Sequence, residues 1–255
     1  MTIRFLFGYD RIMHPTARKD PQGGHNKAQI NRNFFQTWSP QMAYVLGFIF
    51  ADGAIEDVQK SSRTCYISII TSSKDLNILE QIRNVMNSAH KFYKRQARIQ
   101  THSNGKRYLS KDCFIFRIGS KLMYNDLLKL GVTPRKSLTI LFPNIPLEYQ
   151  SFFLRGYFDG DGCIHLIKRK YPRLIFTSGS AKFLEGITET LSLKLGIPEK
   201  HIYSQIENSG KPCYRLHYNT KLSRKVLEFM YKDLEKAPYL ERKHQIYQKY
   251  LSLKN

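Results

Sequence analysis

This 255-residue chain is 42% hydrophobic, which suits one or two domains with cores of their own and excludes a disordered tail. Its 41 Lys and Arg residues outnumber 20 Asp and Glu, and the net charge of +21 favours a polyanionic partner such as nucleic acid. No apolar run approaches the ~20 residues of a membrane span, and the N-terminal apolar patch is too short for a secretory signal, so we expect a protein kept inside a cell or an organelle.

The first predicted element is a buried helix over 40–52. Ser39-Pro40 is a typical helix start, and the residues that follow are apolar nearly all round. Alternation and helical spacing then predict, in order, strands at 54–60 and 64–71, an amphipathic helix at 74–88, strands at 91–101 and 108–118, and a short helix at 120–130. Residues 1–38 precede these elements as a basic extension, for which extra phosphate contacts and a disordered arm are both open.

The same order of elements returns after a proline-marked connector. The predicted members are a helix at 147–161, strands at 163–169 and 173–178, a helix at 180–195, strands at 200–207 and 212–218, and a helix at 220–232. Short matches follow in register, for example "YVLGFIFADGAI" with "FLRGYFDGDGCI" and "TPRKS" with "YLERKH". We therefore predict a duplicated module, with a first repeat and connector at 39–146 and a second repeat at 147–255.

Four cysteines stand singly in strand-like stretches, without CxxC or CxxH spacing. A disulfide framework or a zinc site is therefore not expected. We predict small buried hydrophobic side chains at Cys65, Cys113, Cys163 and Cys213.

Small residues lie four apart on the two apolar helices, at Gly47 and Ala51 and at Gly156 and Gly160. Such a face lets two helices approach at backbone distance, which would bring Asp52 and Asp161 together at the helix ends. Carboxylates are unfavourable beside the unpaired carbonyls of a helix C-terminus unless a hard divalent cation such as Mg²⁺ binds there. The alternative is that each Asp-Gly forms only a turn.

These two helices resemble the nine-residue motif of the LAGLIDADG homing endonucleases, at 45–53 and 154–162. The resemblance covers about 40–253 and implies an α+β fold of two pseudo-twofold-related αββαββα repeats, whose antiparallel sheets form a DNA-binding saddle. It also implies that Asp52 and Asp161 bind Mg²⁺, that Mn²⁺ substitutes, and that Ca²⁺ binds without supporting cleavage. The carbonyls of Ala51 and Gly160 are the implied further ligands.

In the same family a basic residue after the last helix of each half reaches the scissile phosphate. The resemblance assigns this role to Lys136 and Lys243, against the alternative of ordinary solvated lysines. Asp159 occupies a motif position that is structural in the family. Many relatives carry Gln or Lys at the end of the second strand, whereas serines stand here, at Ser72, Ser73 and Ser178.

A polar stretch at 90–111 holds seven Lys or Arg and no acid, interleaved with apolar residues as in a strand pair with one wet face. Arg and Gln read base edges, while Lys mostly binds phosphate. The two halves differ at nearly every such position, so we predict an asymmetric target. The candidate DNA contacts are Lys94, Arg95, Arg98, Gln100, Lys106, Arg107, His165, Lys168, Arg169, Lys170, Arg173, Gln205, Arg215 and His217.

The sequence thus predicts a monomeric, Mg²⁺-dependent, intron-homing endonuclease that hydrolyses both strands of a long DNA site and leaves 3′ overhangs. Two alternatives stay open: an intron RNA maturase, and a non-catalytic DNA-binding regulator on the same fold. An intein is not expected from the ending "YLSLKN". The compartment stays open between mitochondrion, chloroplast and bacterial or archaeal cytoplasm.

Overall fold

The structure is a computed structural model that describes residues 28–57, 65–101, 105–206 and 210–253. At its centre two helices lie side by side, α1 (Pro40–Asp52) and α4 (Gln150–Asp161). Both are buried along most of their length, as their apolar sequences require. Each begins one of two units of similar topology.

In the first unit, α1 leads into a four-stranded antiparallel sheet of order β1-β2-β6-β3. Two helices cover one face of this sheet with the core residues of the unit. The elements after α1 are β1 (Gly53–Ile55), β2 (Tyr66–Ser72), α2 (Leu76–Val85), β3 (Phe92–Arg95), β4 (Ile99–Thr101), β5 (Arg107–Leu109), β6 (Cys113–Gly119) and α3 (Lys121–Lys129).

The second unit repeats this order, with an antiparallel sheet of order β7-β8-β10-β9. The fold class predicted from the sequence, α+β with two αββαββα repeats, is therefore confirmed. The elements after α4 are β7 (Gly162–Ile167), β8 (Tyr171–Ser178), α5 (Ala181–Leu195), β9 (Ile202–Ile206), β10 (Pro212–Tyr218), α6 (Thr220–Tyr231) and α7 (Glu241–Ser252).

Three local predictions need correction. The long strands expected at 91–101 and 108–118 are each broken, and β4 and β5 form a separate small hairpin. At the break the Asp112 carboxylate accepts a hydrogen bond from the Ala97 N–H at 2.7 Å, so that this N–H takes no part in the sheet ladder. The strand expected at 54–60 ends at Ile55, and helix α7 was not predicted.

Part of the predicted N-terminal extension is described by the structure. Residues 28–38 pack onto the first unit, where Ile30, Phe34 and Phe35 are buried. The chain is held there by backbone hydrogen bonds from Asn31 N–H to the Met86 carbonyl (3.0 Å) and from Ala89 N–H to the Gln29 carbonyl (2.8 Å). Residues 1–27, the rest of the predicted extension, lie outside the described residues.

Helices α1 and α4 approach at backbone distance. A Cβ atom at Gly47 would collide with the Phe153 carbonyl, and one at Gly156 would collide with the Tyr44 carbonyl. The small residues thus permit the pairing that brings the two units together. No helix in the described part of the chain is long and apolar enough to cross a membrane.

The four cysteines, all within the described residues, form no disulfide bond with one another. Cys65, Cys113 and Cys213 are buried, as predicted. Cys163 is exposed, because its place in β7 puts it on the open face of the second sheet.

Candidate active site and nucleic-acid interface

The pairing of α1 with α4 brings their C-terminal residues together. A Cβ added at Gly160 would overlap the Ala51 side chain and lie 3.3 Å from the Asp52 carboxylate. Asp52 therefore lies against the last turn of the helix that ends at Asp161. The two predicted carboxylates occupy one site because small residues precede both.

The surroundings of the two carboxylates disfavour the ionised form of each. Desolvation of the carboxylate by burial, and then the charge of Asp161, raises the pKa of Asp52 to about 7. The charges of Lys243 and Lys136 oppose this rise. Burial also raises the pKa of Asp161, again against the two lysines. Both aspartates keep an exposed edge. Water at that edge moderates the shifts, and the edge leaves the pair open to ions.

Lys136 is buried, with 5% of its surface exposed, and so is not a solvated surface lysine. Its ammonium donates hydrogen bonds to the carbonyls of Phe50 (2.8 Å) and Ala51 (3.3 Å) at the end of α1. The preceding Arg135 adopts a left-handed conformation (φ 57°), which turns the chain into this position. Burial lowers the pKa of Lys136 to about 8, and the aspartates Asp161 and Asp52 oppose that shift.

Lys243 occupies the matching place at the end of α4. Its ammonium donates to the carbonyls of Phe158 (2.5 Å), Asp159 (2.9 Å) and Gly162 (2.6 Å). It is 3% exposed, and burial lowers its pKa to about 8, with Asp159 the chief opposing charge. Each lysine thus satisfies carbonyls that a helix C-terminus leaves unpaired and offsets its negative dipole.

Asp159 has a different environment from the two aspartates at the helix ends. It is 2% exposed, and one carboxylate oxygen accepts hydrogen bonds from the Tyr44 hydroxyl (2.7 Å) and the Leu240 N–H (2.8 Å). Burial raises its pKa despite the nearby Lys243. These contacts join α1, α4 and the start of α7, as expected of a structural residue.

The donor set at the helix ends suits a hard cation. No group of three or more His, Cys, Asp or Glu side chains that could hold a metal occurs within 28–57, 65–101, 105–206 and 210–253. The candidate donors are instead two carboxylates and helix-end carbonyls, all oxygen, with an open edge for water. Mg²⁺ prefers such ligands and keeps several waters. The Ala51 carbonyl already accepts a hydrogen bond from Lys136. The two carboxylates, whose pKa values are raised, would be stabilised directly by a bound cation.

Two of the serines predicted beside the site accept hydrogen bonds from backbone N–H groups. Ser178 is buried and its hydroxyl accepts from the Ser180 N–H at 3.1 Å, while the Ser72 hydroxyl accepts from the Lys74 N–H at 3.4 Å. The sheet registers pair Gly53 with Ile69 and Gly162 with Phe176, so the true counterpart of Ser178 is Thr71 rather than Ser72.

The second sheet carries its predicted polar residues on the face away from the core. Cross-strand pairs place His165 with Arg173 and Arg215 with both Thr177 and Tyr203, and alternation puts Gln205 and His217 on the same face. The opposite face carries the core residues Leu174, Phe176, Leu216 and Tyr218. A cavity of about 680 Å³ opens on the polar face, with Arg173, Tyr203, Gln205, Arg215 and His217 in its lining.

The hairpin between β7 and β8 presents three adjacent cations. Lys168 and Arg169 both have positive φ, 51° and 58°, and the Lys170 N–H bonds the Ile167 carbonyl at 3.0 Å. This is a type I′ turn, a geometry that strongly prefers Asn-Gly. Lys168 and Arg169 at these two positions therefore lower the stability of the turn and place two cations at the tip of the hairpin.

In the first sheet the predicted residues divide between faces. Arg95 lies on the open face with Tyr93, but Lys94 lies on the face of Phe92 and pairs with Asp112 at 3.5 Å. Lys94 therefore does not share the open face of the sheet with Arg95, and its role as a DNA contact stays a prediction. The remaining candidates, Arg98, Gln100, Lys106 and Arg107, lie on or beside the separate β4–β5 hairpin.

Sequence reasoning missed Arg117. It lies on the open face of β6, where its guanidinium donates to the Ser68 hydroxyl (3.3 Å) and covers the Tyr66 ring at 5.4 Å. The alternation in "CFIFRIG", with Phe116 and Ile118 fully buried, was the signal that could have identified it. The registers make Arg117 the counterpart of His217 in the second sheet.

Residues 148–230 match the LAGLIDADG-like domain family. The match falls on the second repeat and supports the resemblance of its motif at 154–162, while the motif at 45–53 lies outside the matched residues.

Curated relatives are similar over part of the chain. A probable translation initiation factor IF-2 of Thermococcus kodakarensis is 35% identical over 131 residues, which is 47% of this chain and 11% of the relative. Its namesake in Methanocaldococcus jannaschii is 27% identical over 185 residues, 70% of this chain and 13% of the relative. The chain thus spans little more than a tenth of the length of these relatives.

Solved structures align with this chain at low sequence identity. The homing endonuclease I-WcaI bound to its DNA recognition sequence gives a TM-score of 0.46 at 14% identity, covering 79% of this chain and 84% of that one. The N-terminal LAGLIDADG domain of DUF199/WhiA gives 0.43 at 15% identity, covering 89% of each chain.

Proposed function

We propose that this chain, whose residues 148–230 form a LAGLIDADG-like domain, is a site-specific, metal-dependent DNA endonuclease of the homing kind. The observation that carries the proposal is the convergence of Asp52 and Asp161 at the ends of two paired helices, each end capped by a buried lysine. A structural role alone does not require two carboxylates whose pKa values are raised by their surroundings.

Asp52 and Asp161 would hold Mg²⁺, and the helix-end carbonyls of Ala51 and Gly160 together with solvent would supply further oxygen ligands. When bound, Mg²⁺ supplies positive charge that polarises a phosphodiester and activates a water for its hydrolysis. Lys136 and Lys243 keep fixed positive charge beside the negative charge that develops on the phosphate. Because both are already held by backbone carbonyls, little reorganisation is needed when a phosphate arrives.

The open faces of the two sheets bind the duplex. Arg95, Arg117 and Arg215 offer bidentate donors for base edges, and Lys168 with Arg169 contacts phosphates from the hairpin tip. Burial and the neighbouring Arg173 and Arg215 lower the pKa of His217, so its ring is neutral near pH 7 and can accept or donate a hydrogen bond. Different residues at matching positions specify a long, asymmetric site, cut on both strands with 3′ overhangs.

The decisive experiment is cleavage of a randomised duplex library in Mg²⁺, with Ca²⁺ in a parallel reaction, followed by sequencing of the new ends. We expect discrete cut sites in Mg²⁺ that vanish in Asp52→Asn and Asp161→Asn. Asp233→Asn is the matched control, because it removes the same charge from an exposed pair with Lys236 (3.1 Å).

Tight and selective binding without cutting, in any divalent metal, would overturn catalysis and leave the DNA-binding regulator. Binding of structured RNA in preference to duplex DNA would favour the maturase.

A further inference from the structure

The start of helix α7 is attached to the opposite repeat. The Arg242 guanidinium makes two hydrogen bonds with the Asp75 carboxylate, Nε to Oδ1 at 2.8 Å and Nη2 to Oδ2 at 3.0 Å. Asp75 ends the short 3₁₀ helix (Ser73–Asp75) that leads into α2 of the first repeat, and it is 8% exposed. Parallel, charge-assisted bonds of this kind fix orientation as well as distance.

Further hydrogen bonds hold the same segment on α2. The Gln81 amide bonds both the carbonyl and the N–H of Tyr239, each at 3.2 Å, and the Asn77 amide reaches Glu241 at 3.3 Å. The Leu240 N–H is taken by Asp159 of α4. The first turn of α7 is therefore held between the two repeats, and Lys243 is part of that turn.

Lys136 is held by different means. The Ser137 carbonyl lies so close to Gly179 of the second repeat that a Cβ there would overlap it. Phe142 packs against Phe183 of α5, with ring centroids 5.7 Å apart. Contact between the repeats is thus close-packed and apolar beside Lys136, and polar beside Lys243.

We propose that the Asp75–Arg242 pair is a positioning device for Lys243, so that one half of the active site depends on a contact from the other repeat. The proposal rests on the endonuclease function only in assigning a consequence to the position of Lys243. Its physical basis is proximity along the chain. Arg242 is the neighbour of a lysine whose ammonium bonds three carbonyls within 2.9 Å, and release of the α7 turn breaks that set.

Lysine acetylation read by mass spectrometry tests the positioning without any DNA. In Asp75→Asn and Arg242→Gln we expect Lys243 to react about fivefold faster or more than in the wild type, because local opening exposes it, with Lys136 unchanged. Arg242→Lys, which keeps one charge-assisted bond, should fall between. The matched control is Arg224→Gln, which breaks an exposed pair with Glu228 (2.6 Å) on α6 and should leave both rates unchanged.

The positioning role is wrong if Lys243 stays as protected as in the wild type, or if Lys136 and Lys243 become reactive together. The second result would mean general loosening of the fold.

A double-mutant cycle tests the consequence on a target recovered from the library, with the two strands labelled separately. Arg242→Gln should slow cutting about tenfold and multiply with Lys136→Met, but add little to Lys243→Met, because the residue it positions is then absent. Equal effects in both backgrounds would contradict the coupling. A wild-type chain that cuts neither strand would refute the endonuclease function, while the acetylation result would still decide the positioning.

Discussion

At the scale of single residues, Asp52 carries the main conflict between stability and function. Its folded-state pKa of about 7 lies above the usual value near 3.8, so folding favours its protonated form. A raised carboxyl pKa contributes stability that is fully present below the unfolded value and is lost as pH rises through about 7. Above that pH the metal-free site holds two aspartates that repel each other.

We therefore predict that Asp52→Asn stabilises the protein when EDTA removes divalent metal. The gain in melting temperature over the wild type should grow between pH 4 and pH 8, reaching a few degrees, as the wild-type carboxyl becomes ionised. Added Mg²⁺ should raise the melting temperature of the wild type and leave that of Asp52→Asn nearly unchanged. Thermal unfolding across this pH range checks both parts.

The exposed pair of Asp233 with Lys236 offers the control. Asp233→Asn should show neither the pH-dependent gain nor a changed response to Mg²⁺. A gain in melting temperature for Asp52→Asn that is constant from pH 4 to pH 8 would contradict the assignment of the electrostatic destabilisation to Asp52.

At the scale of elements, the α1–α4 pairing depends on two glycines that meet backbone. Gly156→Ala should destabilise the fold by about 3 kcal/mol, the upper end of the usual cost of overpacking, because the clash is with a carbonyl and not with a side chain that could turn away. Chemical denaturation measures the change. Gly210→Ala is the comparison: its φ is 78° but its Cβ would meet open space, so the loss should be about 1 kcal/mol. Equal losses would show that backbone contact does not limit the pairing.

In the β7–β8 hairpin the same two residues, Lys168 and Arg169, lower the stability of the turn and are proposed to bind phosphates. Replacing Lys168 and Arg169 with Asn and Gly supplies the residues a type I′ turn prefers, and should stabilise the fold by about 1–2 kcal/mol. Loss of two phosphate contacts should also reduce the slope of log affinity against log salt by about 2. Denaturation and a salt series of duplex binding measure the two effects. A weaker slope without added stability would mean that the turn is unstrained.

The elements that local sequence patterns specify could be predicted, whereas those that depend on contacts between distant residues could not. Helices α1 and α4 were predictable because an apolar sequence and small residues four apart agree in both, and α1 also has a Ser39 cap. Helix α7 was missed because it is mostly polar, with Lys243, Tyr247 and Tyr250 as its buried residues. The break in the first long hairpin lies where the Ala97 N–H bonds the Asp112 carboxylate, a contact that no local pattern indicates.

At the scale of the whole molecule, the two sheets present matched positions with different side chains. The registers pair Phe116 with Ile69 and Leu216 with Phe176, which makes Arg117 equivalent to His217, and Tyr93 equivalent to Tyr203. Equivalent positions on a pseudo-twofold molecule meet the duplex at equal distances from its centre. Tyr93 and Tyr203 agree between the halves, whereas Arg117 is matched by His217 and Tyr66 by Arg173, so asymmetry of the target arises from a few side chains on a symmetric frame.

This symmetry makes a prediction that a selection experiment can check. Arg117→Ala and His217→Ala should each relax base preference at one position of the recovered target, by about 1–3 kcal/mol where a bidentate contact is lost. The two relaxed positions should lie on opposite halves, equally far from the cut. Lys221→Ala, which changes an exposed side chain of α6, should relax neither. Relaxed positions on the same half would contradict the equivalence, because one pseudo-twofold axis cannot place both residues on one side of the centre.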